Sequence, residues 1–210
     1  MRTIAIFFCS FLLVFGLTGT AAAYPINSAA DAALAGSTVI DFEDQILGTY
    51  ASITIGNVSF TAVNNHLNID NVYQMYNQSG IYLDNGTYSN EGFGVLRMDF
   101  ASATNAFGFT WGMAEPFATW VLTAYDAGNN ILESRNLPST GASSAGEFFG
   151  LAANNISYAT LAWNGSYDWV AIDNFTFTET AAAVPEPATM LLFGAGMIGL
   201  VTTSRKKCKK

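Results

Sequence analysis

Short runs of alternating apolar and polar residues fill the chain from residue 38 to residue 178, and turn residues separate them. Alternation with a period of two predicts β-strands, and no stretch shows the period of an amphipathic helix. Many short strands at close spacing are typical of a sandwich or jelly roll. The pattern therefore predicts an all-β domain, an antiparallel β-sandwich or jelly roll, over residues 37–179. The predicted strands are Thr38–Phe42, Ser52–Ile55, Val58–Val63, Tyr73–Tyr76, Gly94–Phe100, Ala106–Trp111, Thr119–Tyr125, Ile131–Arg135, Glu147–Leu151, Ile156–Ala162 and Trp169–Thr178.

The strands are punctuated by turn signals. In residues 53–55 the apolar side chains occupy odd positions, whereas in residues 58–60 they occupy even ones, so Gly56-Asn57 is predicted to be a turn or a bulge. Asp126–Asn129 is a further hairpin signal. Residues 24–36 show no strand pattern, and they are predicted to form a linker that contains at most one helical turn.

The N-terminus has the three parts of a secretory signal peptide, here residues 1–23. A basic residue is followed by a short apolar core, and then by small residues that suit a signal peptidase. The predicted cleavage site comprises Ala21, Ala23 and the first mature residue, Tyr24. The alternative is a first transmembrane helix, but the short core and the small residues favour a cleaved signal.

The C-terminal end also has three parts. Residues 180–187 are predicted to be an exposed, extended linker, because two prolines around one acid hold neither a helix nor a central strand. Residues 188–204 are predicted to form a transmembrane helix, and the basic tail 205–210 is expected to stay in the cytoplasm. The motif residues are Val184, Pro185, Glu186 and Pro187, and the basic cluster is Arg205, Lys206, Lys207, Lys209 and Lys210. A plain C-terminal membrane anchor is the alternative.

Together these three parts resemble the PEP-CTERM sorting signal, which is also catalogued as the ice-binding protein C-terminal domain. Proteins with this signal are substrates of exosortases, membrane proteases of exopolysaccharide-producing, mostly Gram-negative bacteria. The resemblance implies export by the secretion machinery, an inner-membrane intermediate, and exosortase cleavage near Pro185-Glu186-Pro187. It also implies delivery to the cell envelope, the outer surface or the extracellular matrix of a biofilm.

Charge is distributed very unevenly along the chain. Between Tyr24 and Ala183 there are 15 acidic residues against only two basic ones, Arg97 and Arg135, which gives this body a net charge near −13. Such a surface repels a phosphate backbone, so no nucleic-acid partner is expected. Cations and neutral sugars are the ligands that this charge favours. Both cysteines lie in the terminal segments, so the body has no disulfide and no thiolate metal site.

A second resemblance concerns the body. Residues 40–44, 106–109 and 170–177 look like the jelly-roll domains of other PEP-CTERM proteins and, more distantly, like carbohydrate-binding modules. In such domains the first and last strands are neighbours, which implies that four acidic residues converge. These are Asp41, Glu43, Asp44 and Asp173. Several carboxylates in one place suit a structural Ca²⁺. The alternative is that Asp173 belongs to a bulge or turn and that the other three acids are solvated.

Aromatic residues at the turn 163–169 are candidates for stacking on sugar rings, namely Trp163, Tyr167 and Trp169. The alternative for each is an ordinary place in the core. No catalytic residues are assigned, because the lone histidine, His66, has no nucleophile motif near it and no pair of carboxylates stands out.

The sequence therefore favours a non-catalytic exported protein of the envelope or exopolysaccharide, not an enzyme. The alternatives are a carbohydrate-binding module and, less favoured, a secreted glycan hydrolase.

Overall fold

The computed structural model describes residues 22–63, 66–71, 80–84, 95–112, 114, 119–140, 146–164, 168 and 170–179. The chain divides into two compact units, residues 1–179 and 180–210, and every described residue belongs to the first. The described part contains a 3-10 helix, Ala32–Leu34, and twelve strands: β1 (Tyr24–Ile26), β2 (Thr38–Ile40), β3 (Gly48–Tyr50), β4 (Ser52–Ile55), β5 (Val58–Val63), β6 (Leu67–Asp70), β7 (Tyr82–Asp84), β8 (Val95–Gly112), β9 (Thr119–Tyr125), β10 (Ile131–Leu137), β11 (Glu147–Asn164) and β12 (Ala171–Phe177).

The predicted signal peptide and the predicted transmembrane helix lie outside these described residues. Within them, no helix has the length and apolar character needed to cross a membrane. The all-β prediction is confirmed for the described part, whose strands pair in antiparallel fashion.

Two strands of 18 residues each, β8 and β11, organise the sheet by pairing with each other over most of their length. The first half of β8 also pairs with β5, and its second half pairs with β12. In the same way β9 pairs with one half of β11 and β1 with the other. The outcome is a sandwich-like fold. One layer has the order β4-β5-β8-β11-β9-β10, and the other contains β1, the remaining halves of β11 and β8, and β12 with β2, β7, β6 and β3.

A change of phase within β8 carries it from one layer to the other. Before the change the even-numbered residues are buried, and after it the large buried residues are the odd-numbered Phe107, Phe109 and Trp111. The partner strand β11 shifts register at the same place, between Ala152 and Tyr158. Two predicted strands, Gly94–Phe100 and Ala106–Trp111, are therefore parts of one strand, and a bulge rather than a turn separates them.

Aromatic side chains from the two layers meet in the core. Phe60 of β5 contacts Phe175 of β12 edge-to-face, with 5.1 Å between ring centroids. Trp111 of β8 contacts Trp120 of β9 in the same manner at 5.7 Å. These inward residues alternate with polar outward ones, which is why the period of two predicts the layers correctly.

The N-terminal segment corrects the sequence interpretation. Residues 24–36, predicted to be a linker, contribute β1 and the 3-10 helix to the domain. Ile26 and Leu34 are buried in a small second cluster against Ala106 and Ala152. The predicted single helical turn is therefore present, whereas the linker prediction misses β1, because a strand of three residues is too short to show a period.

The turn between β4 and β5 is confirmed at Gly56. This residue has a φ of +56°, and the direct pairing of Ile55 with Val58 leaves only Gly56 and Asn57 in the turn. A side chain at Gly56 would meet no atom, so only the backbone conformation disfavours one.

Replacing Gly56 with alanine is therefore expected to lower the free energy of unfolding by about 1 kcal/mol, because alanine resists the left-handed conformation. Chemical denaturation of the full chain measures the loss. Gly56→Asn is the matched control, since asparagine tolerates this conformation better, and its loss should be smaller. Equal losses for the two variants would contradict this role of the backbone conformation.

Candidate functional site

The strand that carries Asp173 is the neighbour of the strand that precedes Asp41, as the resemblance to jelly-roll domains implies. β12 pairs with β2 through Phe175 and Ile40, and it pairs with β7 only as far as Ile172. Asp173 and Asn174 therefore lie at a gap between two edge partners of β12. The loop that follows β2 brings further carboxylates to this gap.

The backbone around the gap is irregular on both sides. β12 has a bulge between Asp173 and Thr176, and Asn174 adopts a positive φ of 48° within it. The amide of Asn174 donates a hydrogen bond of 2.6 Å to the Asp173 carboxylate. On the other side, Phe42 also has a positive φ, 60°, and its side chain is buried in the core. A bulge at Asp173 is the predicted alternative to a metal site, and this bulge is present.

The carboxylate of Asp173 is buried among like charges. The residue is only 3% exposed, and this burial raises the pKa of Asp173 to about 6. The hydrogen bond from the Asn174 amide lowers the pKa, while the charges of Glu43 and Asp41 raise it further. The fold therefore brings three of the four predicted residues into electrostatic contact, and a cation here would relieve the repulsion.

The fourth predicted residue, Asp44, is exposed in the same loop. Glu43 uses one carboxylate oxygen to accept a hydrogen bond of 3.1 Å from the amide of Ile81, just before β7. In the described segments, no group of three histidine, cysteine or acidic side chains is arranged to hold a metal ion. The Ca²⁺ site of Asp41, Glu43, Asp44 and Asp173 thus stays a prediction.

The aromatic candidate Trp163 lies at the end of β11, where it is half-buried. Its ring stacks on Trp120 at 6.1 Å with an interplanar angle of 27°. Trp120 is itself buried, and its indole N–H donates a hydrogen bond to the buried carboxylate of Asp168. Trp163 therefore contributes to core packing, and its contact with a sugar stays a prediction. Tyr167 and Trp169 lie outside the described residues.

Other predicted residues lie at the ends of the chain. Ala23 packs against the core and Tyr24 begins β1, so the first predicted mature residue belongs to the sheet. Ala21, the motif residues Val184, Pro185, Glu186 and Pro187, and the basic cluster Arg205, Lys206, Lys207, Lys209 and Lys210 lie outside the described residues.

The structure also assembles a group of side chains that the sequence interpretation did not single out. One layer has the strand order β4-β5-β8-β11-β9-β10, with β4 and β10 at its edges, and is the β4–β10 layer. On its outer face, the Arg97 guanidinium lies 3.8 Å from the ring centroid of Tyr158. Tyr158 stacks in parallel on Tyr125 at 4.6 Å. Arg97 also pairs with Asp99 at 2.7 Å, and the hydrogen bond to Asp99 raises the pKa of Arg97. The signal available in the sequence is the alternation in residues 95–100, which places Arg97 and Asp99 on the polar face of a strand.

The described part of the chain is thus an all-β, sandwich-like domain with an acidic edge and a polar outer face. Residues 183–206, beyond this domain, match the PEP-CTERM protein-sorting motif. The chain therefore carries the PEP-CTERM signal that its sequence resembles. This motif implies export, recognition by an exosortase and processing at a membrane.

No curated protein matches the chain. A DUF4465 family protein from Bacteroides caccae is similar in structure, with 9% identity, a TM-score of 0.40, and coverage of 75% of this chain and 100% of that one. The carbohydrate-binding module TmCBM61, solved with β-1,4-galactotriose, has 14% identity, a TM-score of 0.33, and coverage of 58% of this chain and 88% of that one. The function of the described domain therefore rests on its own residues.

Proposed function

We propose that this chain is a non-catalytic protein of the cell envelope or exopolysaccharide matrix of a Gram-negative bacterium. It is exported through its signal peptide, residues 1–23, and processed by an exosortase at its C-terminal end. The observation that carries this proposal is the sorting motif over residues 183–206. The motif supports delivery of the domain to the envelope or matrix. The negative charge of the domain disfavours binding to nucleic acid or to an anionic surface.

The tail supplies each part that membrane-bound processing needs. The two prolines in residues 184–187 favour an extended conformation in the sequence prediction, and a protease groove accepts that conformation. The apolar run 188–204 holds the segment in the membrane, and the basic residues 205–210 retain its end on the cytoplasmic side. Cleavage near the Pro-Glu-Pro residues then releases the domain from this anchor on the far side of the membrane.

Several carboxylates accept hydrogen bonds that stabilise the fold, which supports the proposal that the domain is non-catalytic. Glu43 accepts a hydrogen bond from the Ile81 amide, and Asp168 accepts one from the Trp120 indole. Asp126 accepts hydrogen bonds from the amides of Gly128 and Asn130 in the β9–β10 turn. Each of these acids fixes a loop or a turn, which gives it a role that needs no reaction.

A second candidate function is binding of carbohydrate within the matrix. It is favoured by the outer face of the β4–β10 layer, where Arg97, Asp99 and hydroxyl side chains lie together. A secreted glycan hydrolase is the less favoured third candidate, and turnover of the host's own polysaccharide would reveal it.

Mass spectrometry of the mature protein from its host tests the proposed processing. The mature chain is expected to end near Pro185–Pro187 and to lack residues 189–210. Glu186→Ala together with alanine at both prolines is expected to leave an unprocessed chain in the membrane fraction. Glu179→Ala, which removes one acid outside the motif, is the matched control and should be processed normally. Recovery of intact residues 189–210 in the mature wild-type protein would refute the proposal.

A further inference from the structure

A row of hydroxyl side chains crosses the outer face of the β4–β10 layer. Strand register places one such residue on each of five strands, with Arg97 of β8 in the middle of the row. Neighbouring strands lie about 4.8 Å apart, so a row across six strands extends for about 24 Å. The hydroxyl residues are Ser52, Thr61, Thr160, Thr123 and Ser134, of which Thr123 is buried and shares a hydrogen bond of 3.0 Å with Ser134.

A second row of small apolar side chains runs beside the first. The same register places Val63, Val95, Ala162 and Val121 next to one another across four strands. They are half-buried, or exposed in the case of Val63. The face is therefore amphipathic in two parallel stripes, one of hydroxyl groups and one of aliphatic groups.

Arg97 is held in place at the centre of this face. Its Nε and one terminal nitrogen donate to the Asp99 carboxylate at 2.8 Å and 2.7 Å, while the guanidinium lies over the ring of Tyr158. The Tyr158 hydroxyl in turn donates to Asn129 at 3.0 Å. Because both partners of the ion pair are more than a third exposed, solvent screens the pair and it contributes little to folding. What the arrangement does provide is a guanidinium whose orientation is fixed before a ligand arrives, and this lowers the entropic cost of binding.

We propose that this face binds a neutral polysaccharide chain, with Arg97 and Asp99 hydrogen-bonding its hydroxyl groups; the inference rests on the proposed delivery to an exopolysaccharide. Arginine only donates, an ionised aspartate only accepts, and serine and threonine do both, so together they match groups that are donors and acceptors at once. A sugar ring also has C–H surfaces, which pack against the aliphatic stripe.

Charge selects a neutral chain over an acidic one. The body has a net charge near −13, and Arg97 and Arg135 are its two basic residues. Arg135 has a structural use, because it donates to the backbone oxygen of Ile26 at 2.7 Å and lies over the ring of Phe149. Arg97 is already neutralised by Asp99, so an acidic polysaccharide would meet net repulsion.

The size of the side chains selects a sugar over a protein. Protein interfaces are built around large aromatic or aliphatic anchors in their centre. Here the large side chains near the centre, Tyr158 and Tyr125, stack on each other, and Arg97 covers the buried Tyr158 ring. The large exposed Ile131 lies at the margin of the layer on β10.

Affinity electrophoresis of the full-length chain in detergent tests the proposal. Gels contain dextran, mannan or galactan as neutral probes, and polygalacturonate as the acidic probe. We expect at least one neutral gel to retard the chain, with no retardation by polygalacturonate. Arg97→Ala and Thr160→Val should each weaken the retardation, the former about tenfold or more, because a hydrogen bond to a charged group is lost. Thr38→Val, an exposed threonine on β2 in the other layer, is the matched control and should bind normally.

Melting temperatures distinguish loss of binding from loss of folding. Unchanged melting temperatures for Thr160→Val and Thr38→Val keep the comparison valid even if Arg97→Ala folds poorly. The proposal is overturned if no neutral gel retards the wild-type chain, if only polygalacturonate does, or if Arg97→Ala and Thr160→Val bind normally. In each case a correctly cleaved C-terminus would still support the proposed sorting, so the two proposals fail independently.

Discussion

Replacing Phe175 with alanine is expected to lower the free energy of unfolding by about 3–5 kcal/mol. The ring is fully buried and lies where the two layers meet. Among the residues that the structure describes, it contacts five other phenylalanines at centroid distances of 5.1 to 6.2 Å, with geometries that range from edge-to-face to stacked. Its neighbours are Phe60, Phe100, Phe107, Phe109 and Phe177.

The size of this loss follows from where those neighbours are anchored. They come from β5, both halves of β8 and β12, so no single element can move to fill the cavity. Most small domains have only about 5–15 kcal/mol of stability, so the variant should lose a large part of it.

Chemical denaturation followed by tryptophan fluorescence measures the change. Ile131→Ala is the matched control, because this side chain is 65% exposed and its truncation should change stability by no more than about 0.5 kcal/mol. Similar losses for Phe175→Ala and Ile131→Ala would contradict the view that this ring joins the two layers.

Local alternation predicts those strands whose burial is one-sided and whose ends carry turn residues. The bounds of β4, β5 and β9 agree with the sequence prediction to the residue. Four strands, β1, β3, β6 and β7, are missing from the prediction, and three of them, β1, β3 and β7, have only three residues, which is too short to show a period. The predicted strand Tyr73–Tyr76 lies outside the described residues.

The prediction is wrong for the long bulged strands for a different reason. A bulge reverses the alternation in the same way as a hairpin turn, so the chain on its two sides is interpreted as two strands. In β8 the exposed residues Ser102 and Asn105 favour the same interpretation, since serine and asparagine are common in turns. Only the continuous partner strand β11 shows that the chain does not reverse there.

The candidate sites also differ in how far the sequence could predict them. The approach of Asp41 and Glu43 to Asp173 could be predicted from the resemblance to jelly-roll domains, because it requires only that β2 and β12 be neighbours. The row through Arg97 could not, since it depends on the register of six strands at once. Tertiary packing decides the position of Trp163, which stacks on Trp120 although composition alone places it at a turn.

Asp173 is expected to make the protein less stable as the pH rises from about 4 to above 6. Because the pKa of Asp173 is raised to about 6 in the folded state, that state binds the proton more tightly than the unfolded state does. The contribution of the neutral acid is fully present below the unfolded pKa of about 3.9, and it is lost as the pH passes through 6. Each pKa unit corresponds to 1.36 kcal/mol, so the charged carboxylate costs about 3 kcal/mol at pH 8.

Asp173→Asn should recover much of that loss, because the amide is neutral and its oxygen still accepts the hydrogen bond from Asn174. In chelator at pH 8 the variant is expected to melt at a higher temperature than the wild type, and at pH 4 the difference should nearly vanish. A less stable variant at pH 8 would contradict the assignment of burial as the dominant cause.

Calcium provides the opposite test of the same carboxylate. If Asp41, Glu43, Asp44 and Asp173 hold Ca²⁺, then millimolar calcium at pH 8 should raise the melting temperature of the wild type, because the ion binds the folded state and neutralises the buried charge. Asp173→Asn should respond much less, since it has lost the buried ligand. A wild type whose melting temperature is the same in calcium and in chelator would refute the calcium site and leave the pH dependence intact. In that case the bulge at Asp173 and Asn174 would be a structural feature that the domain tolerates at a cost in stability.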